Sequence, residues 1–265
     1  MFNNADEFSN GEVSFYNSIK KYCNTIFDVG ARLKPSWFPS SKKMNNKNNI
    51  IKLSTDISKF VVGNEGNVSE KIKDNFLIKA SGTSLHTTSK KTLILCDLST
   101  GKQLNNFKHK PSIEIGFHML LLKHKHINFV AHSHPINTLK ILCSDHIFEF
   151  SEQRLFPDQI VFNGHKSCVI EYENPGIDLM TKINFGITKF LNNYNYFPKL
   201  ILLQNHGIIC CGKTTDECMV ASSICEKSAE IFIGSKTLGK CNFMSDSEIF
   251  KIKNDKNEIY RMELL

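Results

Sequence analysis

The chain alternates short apolar runs with polar, glycine- or proline-bearing breaks. Phe15, Ile19, Tyr22, Cys23 and Ile26 recur at helical spacing and predict an amphipathic helix over about 11–33. Residues 34–49 carry two prolines and a Lys/Asn cluster and read as a loop, with Trp37 as its anchor. Residues 57–62 lead into Gly63-Asn64-Glu65-Gly66-Asn67-Val68-Ser69, read as a Gly/Asn turn. Strands are expected over 76–80 and 93–97, the second entering a tight turn at 99–102 that forms a hairpin with the next segment. Pro111-Ser112 opens a helix with Glu114 in its first turn, an apolar face of Ile113, Phe117, Leu120 and Leu121, and His118 one turn on.

Further along, 127–134 reads as a buried strand ended by Pro135, with a helix of two turns to Cys143. Phe156-Pro157-Asp158 reads as a turn before a strand over 159–163, and 178–192 as a helix. Residues 200–205 and 208–211 form strand, turn and strand around His206-Gly207. Thr214 and Glu217 have capping-box spacing, and their helix runs to about Ser235. The tail from Lys240 is polar and weakly patterned. Strands mixed with helices and no clear interdomain linker predict a single α/β or α+β domain.

Composition adds boundaries. The 265 residues are 41% hydrophobic and 22% charged, with mean hydropathy −0.24, as expected of a soluble globular protein. No apolar run approaches the roughly 18 residues of a membrane span, and the acidic, polar start is unlike a secretory signal. Nine cysteines without CxxC spacing, several in apolar segments, read as reduced thiols of a cytoplasmic protein. The net charge of +7 is spread through the chain, often beside Asn. It reads as a composition bias or as attraction of an anionic substrate. Nucleic acid is disfavoured, because arginine-rich stretches, zinc-finger spacing and RNP-like aromatics are missing.

The chemistry concentrates in His132-Ser133-His134, His206 and Glu114. Residues i and i+2 of a strand share a side, so His132 and His134 can face one ion. His206, at the end of a second apolar run and beside Gly207, would complete three neutral nitrogen ligands with an open position, as in catalytic zinc sites. A nearby Glu114 then supplies a proton carrier, although a glutamate in a first helical turn also suits the helix dipole alone. His109, His118, His124, His126, His146 and His165 lack this context and read as surface or packing residues. The 63–69 turn and Ser81-Gly82-Thr83 have the small residues of an anion cradle, without a GxGxxG fingerprint or a P-loop lysine.

Taken in order, GNEGNVS, LIKASGTSL, KPSIEIGFHMLL, FVAHSHP, LFPDQIVF and LLQNHGIICCGKTTDE resemble the class II aldolase/adducin family over about residues 57–232. The resemblance implies an α/β/α sandwich around a largely antiparallel sheet, usually assembled as a homotetramer. It divides the chain into an N-terminal extension (1–56), the family domain (57–240) and a tail (241–265). It implies a zinc ion on His132, His134 and His206, with Glu114 as the catalytic acid/base. It further implies a phosphate cradle of Gly66, Asn67, Ser81, Gly82, Ser112 and Ile113, where Ile113 replaces the second serine of the family's usual pair and offers only its backbone N–H. The activity implied is metal-dependent aldol cleavage of a ketose phosphate through a zinc-stabilised enediolate. Its alternatives are pentulose-phosphate 4-epimerase, dehydratase or decarboxylase chemistry on the same metal, or an adducin-like interaction module without catalysis.

Overall fold

The computed structural model describes residues 49–265. The expected helix over 11–33 and the loop up to residue 48, Trp37 included, lie outside the described residues.

Seven strands form one sheet. They are β1 (Asn67–Ile72), β2 (Asn75–Lys79), β3 (Leu93–Asp97), β4 (Phe129–Ser133), β5 (Cys168–Ile170), β6 (Leu200–Leu203) and β7 (Gly207–Gly212). Their spatial order is β3-β2-β1-β4-β7-β6-β5, and every neighbouring pair is antiparallel except β5 with β6. The helices are α1 (Asn49–Ser58), α2 (Ile115–Leu122), α3 (Ile136–Leu142), α4 (Ile147–Glu152), α5 (Pro157–Asn163), α6 (Ile177–Tyr194), α7 (Thr215–Leu238), α8 (Asp246–Lys253) and α9 (Lys256–Glu263).

Alternation along the central strands sends side chains to two faces. Ile201, Leu203, Ile209, Cys211 and Val130 pack with Phe117, Leu120, Ile183 and Ile187 of α2 and α6. Leu200, Leu202, Ile208 and Cys210 pack on the other face with Ile141, Ala221, Cys225 and Phe232 of α3 and α7. Phe129, Ala131 and Val68 continue that second face beneath Leu53 and Ile57 of α1. With both faces covered, the central strands read as continuous apolar runs. The fold is the expected α/β/α sandwich around a largely antiparallel sheet.

Several expectations change. Asn67, Val68 and Ser69 belong to β1, and only the residues before them turn, with Gly63 and Gly66 at positive φ. The turn after β3 closes through Gly101 N–H to the Asp97 carbonyl at 2.8 Å, and the next segment returns along β3 as expected, though briefly: Asp97 N–H to the Lys102 carbonyl at 2.9 Å and Leu104 N–H to the Leu95 carbonyl at 2.7 Å flank one antiparallel bridge, Cys96 with Gln103. The expected turn at 156–158 and strand over 159–163 give way to helix α5: Pro157 occupies the first helical turn, where its missing N–H costs nothing, and the run packs on α7. All eight residues of α2 are buried, whereas Ile113 precedes the helix and is exposed. The polar tail folds into α8, opened by a capping box of Ser245 and Glu248, and α9, capped by Asp255. Among the described residues, no helix is long and apolar enough to cross a membrane.

Candidate metal centre

Strand β4 lies between β1 and β7, with His132 level with Asn67 on one side and Ile209 on the other. His132 points to the same face as Val130, towards α2, where Phe117 meets it edge-on with ring centroids 5.6 Å apart. The β6–β7 turn carries His206 to the same place. Asn205 makes that turn with φ +56°, the left-handed conformation that Asn tolerates. Gly207 has a different role. A Cβ there would stand 2.6 Å from the Ser133 carbonyl and 2.5 Å from the His134 ring, so glycine permits the close approach of two strands rather than the bend.

One nitrogen from each of His132, His134 and His206 lies within 4.8 Å of the others, a possible three-histidine metal site. His132 Nδ1 is 2.9 Å from the Ile208 carbonyl. A carbonyl only accepts, so Nδ1 carries the proton and Nε2 keeps its lone pair. That Nε2 lies 3.0 Å from His134 Nε2. Burial pushes the His132 imidazole below its ordinary pKa and that of His134 to about 4, so both rings are neutral near pH 7.

Glu114 occupies the N-cap position of α2, makes no capping hydrogen bond with its side chain, and is 8% exposed. Its Oε2 stands 3.5 Å from His132 Nε2, and its Oε1 3.2 Å from His206 Nε2. Burial alone would raise this carboxyl. The imidazoles of His132 and His206 and the Asn67 amide outweigh burial and hold it well below the usual carboxylate range. Buried Glu114 Oε1 and His206 Nδ1 have no hydrogen-bond partner among the described residues. Lone pairs on the neutral rings of His132 and His134, with the His206 ring and an ionised carboxylate beside them, form a donor set that fits a divalent cation.

Three residues beyond those expected belong to this site. His118, 0% exposed, is read from sequence as surface or packing, yet it holds a buried hydrogen-bond chain. Ser69 Oγ–H donates to His118 Nδ1 at 2.6 Å, His118 Nε2–H donates to Asn67 Oδ1, and Asn67 Nδ2–H donates to Glu114 Oε2 at 2.7 Å. The signal was the helical i, i+4 spacing from Glu114. Lys79, 3% exposed, donates from Nζ to the Asn64 carbonyl at 3.2 Å and to that of Thr83. Burial pulls this ammonium down to about 8, against the attraction of Glu114. A lysine inside Phe76-Leu77-Ile78-Lys79-Ala80 was its signal. Glu65 stands 3.5 Å from His134 Nδ1 and carried no signal beyond its place between two glycine-bearing steps.

Lys79 links the segments that carry the expected cradle residues. Its carbonyl accepts from Ser112 N–H, and its ammonium ties the 63–66 turn to the 81–83 segment. Gly66 has φ +65°, and a Cβ there would lie 2.6 Å from the His132 carbonyl. The Ser81 amide is spent on the Lys110 carbonyl. Among the described residues, no protein acceptor takes the amides of Gly82 and Ile113. Both N–H groups of Asn67 are in use, one to Ser112 Oγ at 3.2 Å and one to Glu114.

A family profile described as "Class II Aldolase and Adducin N-terminal domain" matches residues 51–233, most of the chain. The chain belongs to that family. Within the class II aldolase family, an L-fuculose phosphate aldolase of Methanococcus maripaludis (strain C5) is 25% identical over 198 residues, covering 74% of this chain and 99% of the relative. A solved L-fuculose 1-phosphate aldolase superposes with TM-score 0.64 at 19% identity, covering 79% of this chain and 96% of its own. A sugar-phosphate aldolase from Thermotoga maritima gives TM-score 0.62 at 20% identity, with 72% and 94% covered. At those identities the structural likeness shows the shared fold.

Proposed function

We propose that this class II aldolase is a metal-dependent lyase that cleaves or forms a carbon–carbon bond in a ketose phosphate. One observation carries the reading. The Glu114 carboxylate, ionised and held by Asn67, stands 3.5 and 3.2 Å from two of three clustered imidazoles. His132, His134 and His206 would hold the metal, and zinc suits three neutral nitrogen ligands. When bound, zinc supplies Lewis-acid chemistry, drawing charge from a ketose carbonyl and stabilising the negative charge left by bond cleavage.

The chain's own groups do the rest. Glu114, ionised at rest, takes the proton from the carbon that forms the new bond and returns it after cleavage. Burial excludes water from that exchange and strengthens each charge in it. The phosphate end of the substrate is assigned to Gly66, Asn67, Ser81, Gly82, Ser112 and Ile113, with Lys79 supplying the positive charge between their loops. Asn67 reaches an anion with the N–H it now gives to Ser112 Oγ, while its other N–H stays on Glu114.

A homotetramer, a cytoplasmic location and the division into 1–56, 57–240 and 241–265 belong to the same proposal. Family resemblance supports the first. The eight described cysteines, all free, support the second, and the profile match over 51–233 supports a central domain.

The test is a panel of ketose 1-phosphates incubated with zinc-loaded and chelator-treated protein, with released aldehyde measured by a coupled dehydrogenase. Zinc-dependent aldehyde release is expected. Epimerised pentulose phosphate without aldehyde would replace the reading by epimerase chemistry. Protein that takes up no stoichiometric metal and turns over nothing would point to an interaction module.

A further inference from the structure

We propose that Glu65 is a positioning residue for the metal centre, orienting His134 and strengthening its Nε2 as a ligand. This role rests on the three-histidine reading of the site. His134 lies one residue beyond β4, outside the strand ladder that fixes His132. Its backbone N–H reaches the Phe60 carbonyl at 3.1 Å, which ties it to the segment following α1. Its ring nitrogens face opposite ways. Nε2 is 3.0 Å from His132 Nε2, inside the cluster, and Nδ1 is 3.5 Å from Glu65 Oε2, outside it.

The carboxylate is held in place by local structure. Glu65 Oε2 accepts from Val62 N–H at 3.0 Å, and Glu65 N–H returns to the Val62 carbonyl at 3.3 Å. Gly66 then turns at φ +65° against the His132 carbonyl, so the turn that bears Glu65 is pressed onto the ligand strand itself.

The three ligands differ on their far sides. His132 gives its Nδ1–H to a backbone carbonyl, and His206 Nδ1 has no partner among the described residues. His134 faces a carboxylate. An imidazole whose outer N–H meets a carboxylate is fixed in one tautomer, and its inner nitrogen becomes a stronger donor. Such outer partners are worth about 10–100-fold in metal affinity. The Glu65 side chain is 45% exposed, and solvent screening places the effect towards the lower part of that range.

The experiment titrates metal-free, full-length protein with Zn2+ in competition with a chromophoric chelator, for wild type, Glu65→Ala, Glu65→Gln, His134→Ala and the double variant Glu65→Ala/His134→Ala. Thermal melts of the metal-free forms check folding. The expected result is a zinc affinity about tenfold or more lower in Glu65→Ala, with an unchanged metal-free melt. Glu65→Gln, which keeps an acceptor without the charge, falls between. In the His134→Ala background, Glu65→Ala has no further effect. Equal affinity in wild type and Glu65→Ala overturns the inference and leaves the three-histidine reading intact. So does an equal additional loss in the His134→Ala background, because Glu65 would then act on the loop and not through His134. If Glu65→Ala does not fold, Glu65→Gln decides: wild-type affinity there overturns the inference. Wild type that binds no zinc takes down both readings.

Discussion

Asn67 donates to the Glu114 carboxylate at 2.7 Å, a buried contact between the first residue of β1 and the N-cap of α2, 47 positions apart in the chain. It turns a helix cap into a candidate acid/base. Glu114→Gln removes the charge and keeps the shape. Turnover of the true substrate is expected to fall by roughly 10²-fold or more while zinc content stays near wild type. Steady-state kinetics with metal analysis on the same samples checks this, and normal turnover would assign the proton to another group.

The amide of Asn67 is itself set by His118, whose Nε2–H holds Oδ1 and so turns the two N–H groups towards Ser112 and Glu114. His118→Leu is expected to lower kcat at least tenfold with little change in zinc affinity, since a misdirected amide costs about one charge-assisted hydrogen bond. His118→Gln, which can still donate, should recover part of the loss. Equal kcat for all three proteins would make His118 a packing residue.

Burial holds His118 near a pKa of about 3, His134 near about 4 and His165 near about 3, all below the ordinary value of 6.5. Below pH 6.5 the unfolded chain takes up protons that the folded chain refuses, so these groups make stability rise with pH between about 3 and 6.5. Glu114 adds to the acid side. Its depressed pKa contributes stability above the ordinary carboxylate value of 4.5, lost as pH falls below it. Thermal midpoints of metal-free protein should therefore decline steadily from pH 6.5 to 4, and a flat profile over that interval would contradict the burial of these rings.

Gly207→Ala places a methyl 2.6 Å from the Ser133 carbonyl and 2.5 Å from the His134 ring. The Ser133 carbonyl cannot yield without moving β4, and the His134 ring can yield only by turning out of the cluster. A stability loss of about 1–3 kcal/mol is expected, read by urea denaturation, together with weaker zinc binding. Gly234, with nothing within 4 Å of its added Cβ, is the control: Gly234→Ala, inside α7, should be neutral or stabilising.

Lys79→Met tests the anion end. Losing one charge-assisted contact should weaken binding of phosphoglycolate, a small phosphorylated mimic, by roughly tenfold or more, while glycolate binding changes little. Calorimetry on zinc-loaded protein distinguishes the two ligands. Equal loss for both would mean that Lys79 serves only to tie the loops together.

Local chemistry is what makes part of this protein legible before any contact between elements is known. His132 and His134 were legible because a strand sends i and i+2 to one side, and the β6–β7 hairpin because His206-Gly207 sits between two apolar runs. The Thr214 cap is legible for the same kind of reason, whereas pattern alone leaves α/β or α+β open and only the family resemblance implies the α/β/α layering. What was misread depended on packing. Residues 159–163 look like a strand in a short window, and contact of the 157–163 run with α7 decides for helix. The tail looks unpatterned until its caps and the contacts of α8 and α9 with α5 are present. The surroundings of the three histidines depend on how the elements pack. Glu65, Lys79 and His118 come from a loop, a strand and a helix, and no spacing rule relates a side chain to a partner across the sheet. Periodicity encodes which face a residue takes within its own element; the pairing of elements sets what that face meets.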